Sequence, residues 1–167
     1  MNCSAPEAVM AEIEIRRAVR EDAESIAGVL RDSFVEYESS YTPEAFAATT
    51  PQRDQIENRM KEGPVWVAAR EKIIVGTVAA VARDEALYIR GMAVLPMIRG
   101  QGVGELLLEE VERFASGHGY RRLILSTTPF LARAIRLYEN SGFRPNTEGP
   151  HDLFGTPLFT MAKSLES

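Results

Sequence analysis

The sequence predicts a mixed α/β fold: a mostly antiparallel central sheet with helices on both faces. Three observations carry this. Residues 64–96 hold three apolar, strand-length segments joined by two-residue turns, which marks an antiparallel meander. Residues 86–127 then read strand, helix, strand, a crossover that sets its two strands parallel and right-handed. Amphipathic helical patterns stand before the meander and after the crossover, so both faces of the sheet can be covered.

Taken in order, "IEIRRAV" (13–19) alternates as a strand. "EDAESIAGVLRDSFVEY" (21–37) is helical, with Asp22 as its expected N-cap and Ile26, Val29, Leu30 and Phe34 on one face. "ESSYTP" (38–43) is a loop in which Thr42 caps the next helix and Pro43 takes its first position. That helical pattern breaks at Pro51, resumes through Ile56 and Met60, and ends at Gly63. The meander strands are "PVWVAAR" (64–70), "IIVGTVAAVAR" (73–83) and "ALYIRGMAVLP" (86–96), turning at Glu71-Lys72 and Asp84-Glu85. A helix over 102–117 carries Val103, Leu107, Val111 and Phe114 as its apolar stripe. "RRLILST" (121–127) is a strand, and 129–142 is a helix stopped by Gly142. The tail holds two short strands separated by a glycine- and proline-rich loop.

Composition sets bounds on function. The chain's 167 residues suit one domain over 12–167, with 1–11 as a loose leader lacking signal-peptide character. The single cysteine, Cys3, excludes a disulfide framework and fits a reducing, cytoplasmic setting. No apolar run approaches the ~20 residues that span a membrane. A formal net charge of −5 argues against nonspecific nucleic-acid binding. Two distant histidines, His118 and His151, and one cysteine make no metal site. His118, at a helix C-terminus, is explained by the helix dipole.

The stretch "RGQGVGELLLEEVERFA" (99–115) places three alternating glycines at a helix entrance. A helix N-terminus offers unpaired N–H groups and about half a positive charge, and glycines let an anion reach the bare backbone. The reading is a phosphate cradle. A Walker A loop fails because Glu105 follows Gly104. A dinucleotide fingerprint fails because its third glycine falls on Leu107 or Glu105. The pattern left is R-x-x-G-x-G: Arg99, Gly102 and Gly104.

With "MAVLPMIRGQGVG" ahead of it and "ARAIRLYENSGF" behind, the chain resembles the GCN5-related N-acetyltransferases along nearly its whole length. The resemblance implies that Arg99, Gly100, Gln101, Gly102, Val103, Gly104 and Glu105 hold the pyrophosphate of acetyl-CoA. Met92, Ala93 and Val94 then pair with the pantetheine arm where two central strands splay, with Gly91 suited to the β-bulge that makes the splay. Ala134 belongs to the same cofactor-binding set, and Tyr138 faces the thioester sulfur as the acid for the leaving thiolate. The sequence departs from the family pattern at Leu131, where relatives have Asn, and at Glu105, where they have Lys, Ser or Thr.

The expected reaction is direct transfer of an acetyl group from acetyl-CoA to a primary amine, with no metal. No general base stands out, although Glu85, Tyr88 and Arg90 lie near the fourth strand. In the family the first helices and their connection cover the acceptor, which here means "FVEYESSYTPEAF" (34–46). Phe34, Tyr37, Tyr88 and His151 are the candidate substrate residues. Glu36 and Glu38 among aromatic rings suit a small cationic or amino-acid-like amine. Two other readings stand beside this one: a non-catalytic acyl-CoA-binding module, and an acetyltransferase acting on protein N-termini or lysines. The resemblance also implies a homodimer.

Overall fold

The computed structural model describes residues 12–165, so the expected leader and Cys3 lie outside the described residues. Seven strands form the main sheet: β1 (Ile13–Arg17), β2 (Val65–Arg70), β3 (Ile73–Arg83), β4 (Ala86–Val94), β5 (Arg122–Thr127), β6 (Arg144–Asn146) and β9 (Phe159–Ser164). Their spatial order is β1-β2-β3-β4-β5-β9-β6. Neighbours pair antiparallel throughout except β4 and β5, which are parallel. This is the mostly antiparallel mixed sheet that the sequence predicts.

The meander closes where the turn chemistry placed it. Arg70 pairs with Ile73, leaving Glu71 and Lys72 as a two-residue loop with φ of 51° and 69°. Positive φ at both central residues matches the twist of the flanking strands. The crossover helix α4 (Val103–Gly117) returns the chain to β5, beside β4.

Two apolar layers sandwich the sheet. On one face Leu107, Val111 and Ala115 of α4 pack against Val78, Leu87, Ile89, Leu123 and Leu125, and α5 (Ala132–Asn140) adds Tyr138. On the other, Ile26, Val29 and Leu30 of α1 (Ala23–Phe34) join Ile56 of α3 (Arg53–Glu62) against Val65, Val67 and Ala79. Between them α2 (Pro43–Thr49) starts as read: Thr42 Oγ1 accepts the Ala45 N–H at 3.2 Å and Pro43 opens the helix. His118 also keeps its helix-terminal role, with Nδ1 2.8 Å from the Phe114 carbonyl and its ring stacked on Phe114.

Four local expectations change. Asp22 makes no side-chain cap, because Arg16 and a backbone amide hold its carboxylate: Arg16 Nη1 and Nη2 donate at 2.8 and 3.1 Å, and the Val19 N–H at 2.8 Å. The first α-helix stops at Phe34, and Val35–Ser40 continue as a 3₁₀ helix. The last helix begins at Ala132 rather than 129, since Leu131 has non-helical backbone angles (φ −86°, ψ 69°). The tail loop contains an extra hairpin, β7 (Asp152–Leu153) and β8 (Thr156–Pro157), too short to show a period. Thr42 pins it, its N–H donating to Thr156 Oγ1 at 2.9 Å and its hydroxyl to the Phe154 carbonyl at 2.8 Å.

The Arg16 fork, opposed by burial, leaves the Asp22 carboxyl below its ordinary value. A depressed carboxylate contributes stability above its unfolded pKa of about 3.9 and loses it as pH falls through the lower folded value. Asp22→Ala is therefore expected to cost about 1–3 kcal/mol at pH 7. In urea unfolding the gap from wild type should close as pH drops below about 4.

Candidate functional site

The site begins with a defect in the sheet. Thr77 pairs with Ala93, but Ala79 pairs with Arg90, so Val78 faces both Gly91 and Met92. Gly91 has φ of +62°, the left-handed backbone of a glycine bulge. The bulge reverses the alternation of β4. Ahead of it Leu87 and Ile89 belong to the layer under α4; beyond it Met92 and Val94 pack there, and Ala93 turns to the opposite layer. The β4–β5 ladder ends at Ile89 and Leu125, although β4 runs on to Val94. From Arg90 onward the β5-side edge of β4 has no strand on it among the described residues.

A cleft of about 370 Å³ opens along this edge. Met92, Ala93 and Val94 form one wall, and the entrance of α4 forms the next, through Arg99, Gly100, Gly102, Val103, Gly104 and Glu105. Ala134 and Tyr138 of α5 close it, and Phe34 and Tyr37 reach it from the end of α1. Gln101, Tyr88 and His151 are not on its walls. The Gln101 side-chain oxygen accepts from Arg70 Nη2, the Tyr88 ring lies 3.9 Å beneath the Arg83 guanidinium, and His151 is exposed before β7.

The glycines do two different jobs. Gly100 and Gly102 have φ of +82° and +85°, and a Cβ at either would meet no atom within 4 Å. They turn the chain into α4 and leave open backbone at a helix N-terminus. Gly104 is there for close approach: a Cβ would stand 2.8 Å from Leu137 Cδ2 and 3.5 Å from Met92 Cε. Bare N–H groups at the positive end of a 15-residue helix fit a pyrophosphate.

Charge on the walls agrees. Arg99, Arg133 and Arg136 line the cleft against the single carboxylate of Glu105. Arg99 is braced, with Nη1 donating to Glu36 at 2.8 Å and Nη2 to the Ser33 carbonyl at 3.1 Å. Glu36 thus supports the cradle rather than standing free among the aromatic rings. Arg133 and Arg136 went unread in the sequence, where arginines three apart on an amphipathic helix look like a solvated face. Leu131 also lines the cleft, an apolar wall at the position where the family pattern has Asn.

Tyr138 is buried, its ring 5.9 Å from Phe143, and burial pushes its hydroxyl well above the ordinary tyrosine range. Nearby, Tyr41 stands edge-on to Phe130 at 4.9 Å and Tyr37 lies 6.0 Å from the same ring.

The pattern of the Acetyltransferase (GNAT) family matches residues 26–143. The chain belongs to that family. An uncharacterized N-acetyltransferase of Escherichia coli K12, YjgM, is 30% identical over 149 residues, 86% of each chain. Human N-acetylaspartate synthetase is 33% identical over 102 residues, 60% of this chain. The match spans about a third (34%) of that synthetase's length. Among solved structures, a PaiA N-acetyltransferase from Thermoplasma acidophilum in complex with coenzyme A superposes with a TM-score of 0.80 at 18% identity, covering 92% of this chain and 99% of that one. The GNAT fold is the one described above. No helix among the described residues is long and apolar enough to cross a membrane.

A side chain at Gly102 would be strained by its left-handed backbone and would enter the cradle. Gly102→Glu adds a negative charge there, so affinity for coenzyme A should fall roughly 100-fold or more, measured by titration calorimetry. An unchanged far-ultraviolet circular dichroism spectrum would show that the fold survives.

Proposed function

We propose that this GNAT-family protein transfers an acetyl group from acetyl-CoA to the primary amine of a small, amino-acid-like molecule. The observation that carries the reading is the meeting, in one cleft, of an open helix N-terminus, a free strand edge and a buried tyrosine. The N-acetylaspartate synthetases support it from outside, because their name specifies an N-acetylated amino acid.

Each part of the cleft has a role in this chemistry. Backbone N–H groups from Gly100 to Gly104 hold the pyrophosphate, and the braced Arg99, with Arg133 and Arg136, supplies positive charge around it. The edge at Met92–Val94 takes the pantetheine amides as a further strand would be taken. That pairing fixes the thioester between the two walls. The neutral amine attacks the thioester carbon and releases its surplus proton to solvent water, and backbone N–H groups at the splay stabilise the oxygen on which charge develops. The carbon–sulfur bond breaks and the thiolate leaves toward Tyr138.

Burial bears directly on Tyr138. A phenol raised above its ordinary pKa of about 10 stays protonated throughout the physiological range. It is a weaker acid than free tyrosine but a constant donor, so its first contribution is a hydrogen bond to the developing thiolate, and the proton that ends on sulfur is made good from the solvent that took the amine's proton. Tyr138→Phe removes the donor and keeps the ring. Its kcat should drop roughly 10²-fold, within the range for a lost acid catalyst, while the Kd for acetyl-CoA stays within about twofold. Wild-type kcat should show no alkaline loss from this group below about pH 10, in a stopped-flow thiol-release assay. A substitution that leaves kcat unchanged removes Tyr138 from the mechanism, and a limb near pH 8 that disappears in Tyr138→Phe contradicts its raised pKa.

A further inference from the structure

Across the bulge from the cradle, two arginines share too little negative charge. Arg90 is the last β4 residue before Gly91. It alternates with Ile89, so it lies on the α1–α3 face of the sheet. Its Nη2 donates to Glu62, and its buried Nε has no hydrogen-bond partner. Arg59 reaches over from α3, with Nη1 2.8 Å from where a Cβ of Gly91 would stand. No carboxylate lies within ion-pair distance of Arg59 among the described residues. Gly91 thus has a second reason to be glycine: Arg59 occupies the space its side chain would fill.

Half-burying an unpaired guanidinium beside a second one is unfavourable, and burial together with Arg90 lowers the Arg59 pKa. Among the described residues Glu62 is the one carboxylate paired with either arginine, and it is engaged by Arg90. The pair is left with net positive charge and unused N–H donors, whose planar fork matches a carboxylate. Arg90 precedes by two residues Met92, which lines the cleft, and it stands where the β4–β5 ladder has already ended.

We propose that Arg59 and Arg90 bind a carboxylate of the acceptor, making this an acetyltransferase for amino acids or other amino-carboxylates rather than simple cationic amines. The inference rests on the acetyl-transfer reading above and names its substrate class. The acceptor's carboxylate docks on the α3 side of the bulge, and its neutral amine is presented through the splay to the thioester.

The test is an acetyl-CoA-dependent thiol-release screen with matched acceptors. Glycine, alanine, aspartate and glutamate are each paired with their α-amides, aspartate also with asparagine, and ethanolamine is paired with phosphoethanolamine. At least one free acid should exceed its amide in kcat/KM by roughly ten- to hundred-fold, the value of charged hydrogen bonds. Arg59→Gln should collapse that ratio toward one through KM, with acetyl-CoA affinity retained as the control for folding. Amides used as well as the acids, or an acid-to-amide ratio unchanged in Arg59→Gln, overturns this inference alone. A preference for phosphoethanolamine over every carboxylate assigns the arginines to phosphate and overturns it too. Failure of the wild type to bind acetyl-CoA overturns the acetyl-transfer reading, and this inference with it.

Discussion

Everything at the site depends on one misfit in the sheet, the extra residue in β4 opposite Val78. A parallel pair such as β4–β5 would ordinarily hydrogen-bond along its full length, and an unpaired central edge buried in a sheet is costly. The Gly91 bulge makes the gap unavoidable. It twists β4 away after Ile89, turns Met92 and Val94 toward α4 and α5, and leaves backbone groups without a strand to satisfy them. An extended amide chain satisfies them as a strand would. The donor groove proposed here would therefore use the same hydrogen-bonding capacity that makes the rest of the sheet.

The α4 entrance complements that edge. Positive φ at Gly100 and Gly102 bends the chain sharply enough to aim the helix terminus into the gap. The tight approach at Gly104 draws three distant segments together, because Met92 of β4 and Leu137 of α5 both crowd the place where its side chain would be. Leu137 adjoins Tyr138, so the packing that seats the cradle also sets the depth of the phenol. Ser33 reinforces the same corner, its hydroxyl donating to the Val94 carbonyl at 3.1 Å while its own carbonyl accepts from Arg99.

Much of this was legible in the sequence, for identifiable reasons. Strand and helix periods, two-residue turns and the glycine-rich helix entrance are local signals, and the sheet, its sense and the turned entrance of α4 follow from them. Gly91 was readable because glycine inside a strand usually marks a bulge or a close approach. What escaped reading depends on partners far along the chain. Asp22 looks like a cap until Arg16 takes its carboxylate, and the Gln101 side chain looks free until Arg70, 31 residues earlier, donates to it. The Tyr88 ring looks free until Arg83 covers one face of it. Arg59, Arg133 and Arg136 resemble ordinary polar faces of helices, and only their neighbours in space distinguish them. The β7–β8 hairpin has two residues per strand, below the length at which alternation carries information.

The central claim is that the β4 edge and the α4 entrance together form the acyl-donor groove. Amide hydrogen exchange, read residue by residue with and without acetyl-CoA, tests it most directly because it reports the backbone groups in question. The account predicts new protection at amides within Met92–Val94 and Gly100–Gly104, with little change at the β1 and β6 edges. Protection confined to α4, with the β4 amides exchanging as before, would mean the splay does not bind the donor, and protection at neither segment would contradict the account outright.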